Sequence, residues 1–148
     1  MASSLDELVR EVASAELAPR GFQRRGRRFL YAVEPERAVA VLEFQKHPLH
    51  GSDVEFFVNL YLYFREVQES REHGWPPDLS TVPSGAALWD RRLRDSARAG
   101  QPGSDHWSFD LTNERATDHF GRELGAAADE LATLADRRHF VAWLQTLD

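Results

Sequence analysis

The stretch Val54-Glu55-Phe56-Phe57-Val58-Asn59-Leu60-Tyr61-Leu62-Tyr63-Phe64 decides how this chain folds. Val54, Phe56, Val58, Leu60, Leu62 and Phe64 alternate with Glu55, Phe57, Asn59, Tyr61 and Tyr63, the period of two that defines a β-strand. Burying one Val, Leu or Phe side chain contributes about 1.5–3 kcal/mol, so six on one side fix the register and make that side core. The other side is aromatic but polar-tipped, a surface commonly half covered by a helix, a loop or a partner.

Working towards the N-terminus, Arg27–Val33 and Ala38–Gln45 also alternate, with the turn Glu34-Pro35-Glu36-Arg37 between them, and predict a hairpin. Before it, Leu5, Leu8, Val9, Val12 and Ala15 recur at helical spacing and predict a helix over Leu5–Ala18. Ser4 with Glu7 forms a capping box, and Pro19 with Gly21 supplies the stop. Towards the C-terminus, Gln68 to Gly85 has no period and reads as a long surface loop. Ala87–Ala97 suits either a strand or a helix. The turn Gly100–Ser104 and the alternating Trp107, Phe109 and Leu111 favour a strand and a second hairpin. Thr112 and Asn113 can cap a helix from Glu114 to Ala135 along Phe120, Leu124, Ala127, Ala128, Leu131 and Leu134. Gly121 and Gly125 within it imply close packing against the sheet, since each costs about 0.5–1 kcal/mol relative to Ala. A short last helix would carry Phe140, Val141, Leu144 and Leu147.

The expected architecture is therefore a single α+β domain over residues 1–148, with an antiparallel sheet of about five strands, an N-terminal helix and two C-terminal helices in the order α-β-β-β-β-β-α-α. Sequential strands joined by short turns disfavour βαβ crossovers and a dinucleotide fold.

Composition narrows the function classes. A chain of 148 residues can bury its own core without staples. It has no cysteine, which excludes disulfides, thiolate metal sites and a cysteine nucleophile. The start, Met1–Glu7, has no basic or apolar leader, and no run approaches the about 18 apolar residues of a membrane span. A soluble cytoplasmic protein with no membrane partner is expected. Heavy use of Arg, Ala and Asp with a single lysine suits a GC-rich bacterial genome. The net charge of −6 opposes attraction to a phosphate backbone, so nucleic acid is a disfavoured partner.

One segment departs from that balance. Arg20-Gly21-Phe22-Gln23-Arg24-Arg25-Gly26-Arg27-Arg28-Phe29 concentrates arginine without an acid, and guanidinium forks match phosphate oxygens. The plainer reading pairs these arginines with helix acids such as Glu11 and Glu16 or leaves them solvated. Alternation puts Arg27 and Arg28 on opposite faces, so the cluster cannot all converge. Gln45 and Asn59 lie on otherwise apolar or aromatic strands, and a buried amide without partners costs about 1–3 kcal/mol. Each must be hydrogen-bonded or face a wet cleft. If their strands pair, Gln45 shares a face with Asn59, Tyr61 or Tyr63. The ligand-binding candidates are Arg27, Arg28, Gln45, Asn59, Tyr61 and Trp107.

Other chemistry finds little support. His47 and His50 flank Pro48 and could bind a metal if Asp53 or His73 came near, but no established zinc signature is present, and neither a metal site nor a cofactor is expected. His119 and Glu123, one helical turn apart, read as a surface contact. Ser104-Asp105-His106 is an accidental adjacency, because a triad needs spatial geometry. No catalytic residue is assigned, and enzyme status is not supported.

Gly21-Phe22, Arg25-Gly26-Arg27-Arg28-Phe29, Gln45, Phe56-Phe57-Val58-Asn59-Leu60, Trp89-Asp90-Arg91-Arg92-Leu93 and Trp107 together resemble, in their order, a bacterial family known as domain of unknown function 4304. The resemblance covers most of the chain and implies a small standalone α+β protein, with no activity assigned to any residue. Residues 68–85 depart most from its pattern. Separately from that resemblance, an acidic small domain without catalytic motifs, with Tyr61, Tyr63, Trp75 and Trp89 as anchor aromatics, reads as a non-enzymatic binding domain with another protein as partner, in an immunity or antitoxin role. The alternative is a small-molecule or nucleotide-handling enzyme, or a ligand-binding protein, using a cleft lined by Arg, Gln and Asn. Oligomeric state is left open.

Overall fold

A computed structural model describes residues 4–34, 38–47, 54–64, 89–136 and 145. The expected last helix over Phe140–Leu147 and the loop 68–85 lie outside the described residues. So do the structural settings of His50, Asp53, His73 and Trp75.

The N-terminal helical segment α1 runs over residues 4–20 as an α-turn (Ser4–Glu7), a π-turn (Leu8–Ala13), an α-turn (Ser14–Leu17) and a 3-10 turn (Ala18–Arg20). The π-turn is closed by the Ser14 N–H donating to Val9 O, an acceptor that the Ser14 hydroxyl also reaches at 2.9 Å. The extra residue per turn shifts the phase of everything after it. Ala13 and Leu17 are therefore buried while Ala15 is exposed and Val12 is only half-buried, which corrects the expected stripe. The α-turns end at Leu17, ahead of Pro19, which sits inside the closing 3-10 turn. The chain leaves α1 through Gly21, whose φ of 90° is the left-handed cap conformation that glycine adopts without strain.

Six strands follow among the described residues: β1 (Gln23–Arg25), β2 (Arg28–Glu34), β3 (Ala38–Lys46), β4 (Val54–Phe64), β5 (Trp89–Arg92) and β6 (Trp107–Phe109). All pairings are antiparallel, in the order β1-β2-β3-β4, with β5 and β6 both on the far edge of β4. The sequence does not show β1. It is a short, exposed edge strand that turns into β2 through Gly26 at φ 62°.

β5 and β6 do not form the expected hairpin with each other. β5 pairs with Asn59–Leu62 and β6 with Val54–Phe56, while the Leu93 N–H donates to Val58 O between them. Together they form one edge strand, interrupted by an excursion over residues 94–106. The long edge of β4 is satisfied by both pieces. Asp95 N–H donating to Ser104 O at 2.7 Å closes the base of the excursion, and the Trp107 indole N–H donates to Leu93 O at 3.1 Å across it.

The helix α2 (Glu114–Ala135) has the limits read from sequence, with Asn113 as its cap accepting from the Ala116 N–H. Its Phe120 lies 4.9–6.5 Å, ring to ring, from Trp107, Phe56, Phe109 and Phe44. α1, α2 and one sheet face share a single core that contains all six aliphatic-side residues of β4. Gly121 and Gly125 make room for the end of α1, not for the sheet. A Cβ on Gly125 would stand 2.8 Å from the Arg20 guanidinium, and one on Gly121 3.2 Å from Glu16 Oε1. Arg20 is held there by Asp129 and Glu16, whose carboxylates, Asp129 foremost, raise its pKa above the usual arginine value.

One end of the second sheet face is also closed. Val39, Val41, Tyr61 and Tyr63 form a separate buried cluster with Leu30 against it. Tyr63 is fully buried, and that burial pushes its phenol pKa up. Tyr61 and Tyr63 are therefore not exposed anchors. No described helix is long and apolar enough to cross a membrane.

Candidate functional site

On the second face, the antiparallel register sets four residues directly opposite one another across four strands: Arg28 on β2, Glu43 on β3, Asn59 on β4 and Arg92 on β5. Directly opposed side chains in a sheet interact, and opposite charges there are favourable. Arg28 Nε donates to Glu43 Oε2 at 2.7 Å, with both side chains about three-quarters buried. Glu43 Oε1 accepts from the Asn59 amide at 3.4 Å and the Tyr61 hydroxyl at 3.3 Å. The Asn59 amide also donates to Gln45 Oε1 at 3.0 Å, and Asn59 Oδ1 accepts from Arg92 Nε at 3.3 Å. Beyond the row, the Arg92 guanidinium stands 4.0 Å over the Phe57 ring and 3.5 Å from Asp105 Oδ2.

Four of the candidates, Arg28, Gln45, Asn59 and Tyr61, thus share one network. Its hub, Glu43, was missed, although its position two residues before Gln45 on one strand puts both on the same face. The other two candidates lie elsewhere. Arg27 turns to the helix side and its guanidinium donates twice to Asp6 of α1, at 3.1 and 3.2 Å. Trp107 is buried in the main core. The arginine segment diverges: Arg20 joins α1 to α2, Arg24 and Arg25 donate to backbone carbonyls, and Arg27 and Arg28 point to opposite faces. A cavity of about 380 Å³ lies at the β5 edge on the helix side, lined by Arg91, Arg94, Asp95, Glu123 and Glu130 among others, and not by Gln45 or Asn59. Two of its charges are already matched, because Arg91 pairs with Glu130.

Two triplets of histidine and carboxylate flank the interrupted strand. On the helix side, Asp95 Oδ1 meets His119 Nε2 at 2.8 Å and accepts from the Ala97 N–H at 3.0 Å, while Oδ2 accepts from Arg98 at 3.2 Å. Burial raises the Asp95 pKa, but the bonds from His119, Ala97 and Arg98 outweigh it and hold the carboxyl below its ordinary value. Glu123 is 3.8 Å from His119 and accepts from the Ser96 backbone and hydroxyl. The sequence pair His119–Glu123 is therefore secondary to His119–Asp95.

On the opposite side, His47 at the end of β3, Glu55 on β4 and His106 just before β6 come together. Glu55 Oε1 lies 2.7 Å from His106 Nε2 and 3.9 Å from His47 Nδ1. The close approach is off the line of a hydrogen bond: His106 Nε2 and Glu55 Oε2 are both buried without a hydrogen-bond partner. The Phe57 ring packs 5.3 Å from His106 and 5.6 Å from His47, and the two imidazoles are 4.9 Å apart. Ser104, in contrast, is buried and its hydroxyl takes the Arg94 guanidinium, so Ser104-Asp105-His106 forms no relay.

No family model, curated protein or solved structure matches this chain.

Proposed function

We propose that the chain is a non-enzymatic binding domain whose partner is another protein, engaged through the second sheet face at the Arg92 end of the polar row. The observation that carries this reading is the exposed Arg92 guanidinium stacked on the half-buried Phe57 ring, next to the exposed Gln45 amide. Arginine on an aromatic ring is the kind of group that concentrates binding energy in protein interfaces. The row beneath is satisfied within itself, which holds Arg92 and Gln45 in place before a partner arrives and lowers the ordering cost of association. A net charge of −6 favours a partner that is basic overall. An immunity or antitoxin role fits such a pairing, and membership of the bacterial family named above belongs to the same proposal. The small-molecule or nucleotide alternative loses its anion-binding cation, because Glu43 already neutralises Arg28.

Photo-crosslinking tests this. A benzophenone side chain at position 45, in a native lysate, is expected to join one basic protein, and the product should vanish in an Arg92→Ala background. The same group at the exposed position 118 on α2 should join none. Equal labelling from both positions, or a product indifferent to Arg92, would overturn the reading.

A further inference from the structure

We infer that His47, Glu55 and His106 form a binding site for one divalent transition-metal ion of the zinc type. The backbone brings the three together for reasons of register alone. The His47 N–H donates to Glu55 O at 3.0 Å, which sets the last residue beside β3 against the second residue of β4. β6 pairs Ser108 with Glu55 from the other side, and the alternation that buries Trp107 turns His106 towards the same face as Glu55.

The donor atoms suit a small cation. One ligand atom from each residue lies within 4.8 Å of the others, with the two closest separations to Glu55 Oε1 at 2.7 and 3.9 Å. Zinc with ligands at about 2.0–2.1 Å sets tetrahedral donors about 3.3 Å apart, between those two values. Small side-chain rotations complete the fit. Two imidazoles and one carboxylate, without sulfur, select a borderline metal over calcium or magnesium, which take oxygen ligands.

The unmet hydrogen-bonding capacity points the same way. Buried polar atoms in folded proteins are nearly always partnered, yet Glu55 Oε2 and His106 Nε2 have no hydrogen bond. A cation satisfies a carboxylate and an imidazole lone pair together where a single proton, off the bonding line, does not. The Phe57 ring walls one side, and the 41% exposure of the His47 side chain leaves a way in. Three protein ligands leave one of four positions for water or a donor from outside.

The Asp95–His119–Glu123 triplet is the internal control. Its groups are occupied by Ala97, Arg98 and Ser96, so a metal there would have to break bonds already made.

Titration of zinc sulfate into chelator-treated full-length protein, followed by calorimetry and by thermal melting, decides the matter. The expected result is one equivalent bound, with a rise in Tm that grows with zinc concentration. Glu55→Gln and His106→Ala should each weaken binding by at least about 100-fold, the upper end of what loss of a supporting group costs. His119→Ala should bind as wild type does, and magnesium should produce no shift. Circular dichroism of the metal-free variants establishes that they are folded, and His47→Ala replaces any that is not. Absence of binding would mean that Glu55 and His106 are an ion pair only. Binding unaffected by Glu55→Gln, or equal binding of magnesium, would likewise overturn the proposal.

Discussion

The two ends of the excursion between β5 and β6 carry matched chemistry with opposite outcomes. Asp95, at its start, turns to the helices and finds a partner for each oxygen. His106, at its end, turns to the other sheet face and meets Glu55 off the hydrogen-bonding line, leaving two buried atoms unpartnered. The contrast shows that a histidine near carboxylates is not in itself a site. What distinguishes the two places is whether the backbone and neighbouring side chains have already used the lone pairs. On the helix side they have, and the triplet is a strut joining the excursion to α2.

That difference can be broken most visibly at Asp95. Replacing it by alanine leaves the Ala97 N–H, the Arg98 Nε–H and His119 without their shared acceptor, and a loss of about 2–3 kcal/mol in urea unfolding is expected. A loss below about 0.5 kcal/mol would show that the strut bears little. Next in size is Glu43→Gln, which keeps the shape of the polar row but removes the charge facing Arg28. It should cost about 1–2 kcal/mol, less than Asp95→Ala because the amide oxygen still accepts part of the row's hydrogen bonds, whereas alanine removes every acceptor.

The acid limb of stability gives a smaller and differently shaped effect. The Asp95 carboxyl has a folded pKa below its ordinary value of about 3.9, so its contribution is complete above that value and disappears as pH falls through the folded pKa. The stability gap between wild type and Asp95→Asn should therefore narrow as pH drops below about 3.9. A gap that stays constant over that range would contradict the assignment. Smallest of all is Glu55→Gln in chelator at pH 8. With no hydrogen bond to lose at Oε2, the metal-free protein should stay within about 0.5 kcal/mol of wild type. A loss as large as that of Asp95→Ala would erase the distinction between the two triplets.

Much of this arrangement was legible in the residues. The alternation in Val54–Phe64 placed six side chains in the core and put Asn59 and Tyr61 on the same side as each other, and pairing with β3 then brought in Gln45. The limits of α2 followed from its cap and its stripe. Where reading failed, a local pattern was silent about its long-range partner. Gln23–Arg25 has no apolar alternation, because an exposed edge strand needs none. The turn at Gly100–Ser104 marked a reversal but not the strand that β5 and β6 would pair with. The glycines of α2 announced a close approach without saying that Glu16 and Arg20, rather than the sheet, would fill it. A π-turn is invisible to a test for period 3.6, so Ala15 was assigned to the wrong side. The His47–Glu55–His106 cluster needed the registers of β3 and β6 on β4 at once, and the adjacency of Ser104 to His106 drew attention the wrong way.

The most direct test is a long-range proton–nitrogen spectrum of the imidazoles, recorded before and after one equivalent of zinc. There are six histidines to resolve. The nitrogens of His47 and His106 are expected to move to metal-bound positions while those of His119 do not change. Movement of His119, or of neither His47 nor His106, would contradict it.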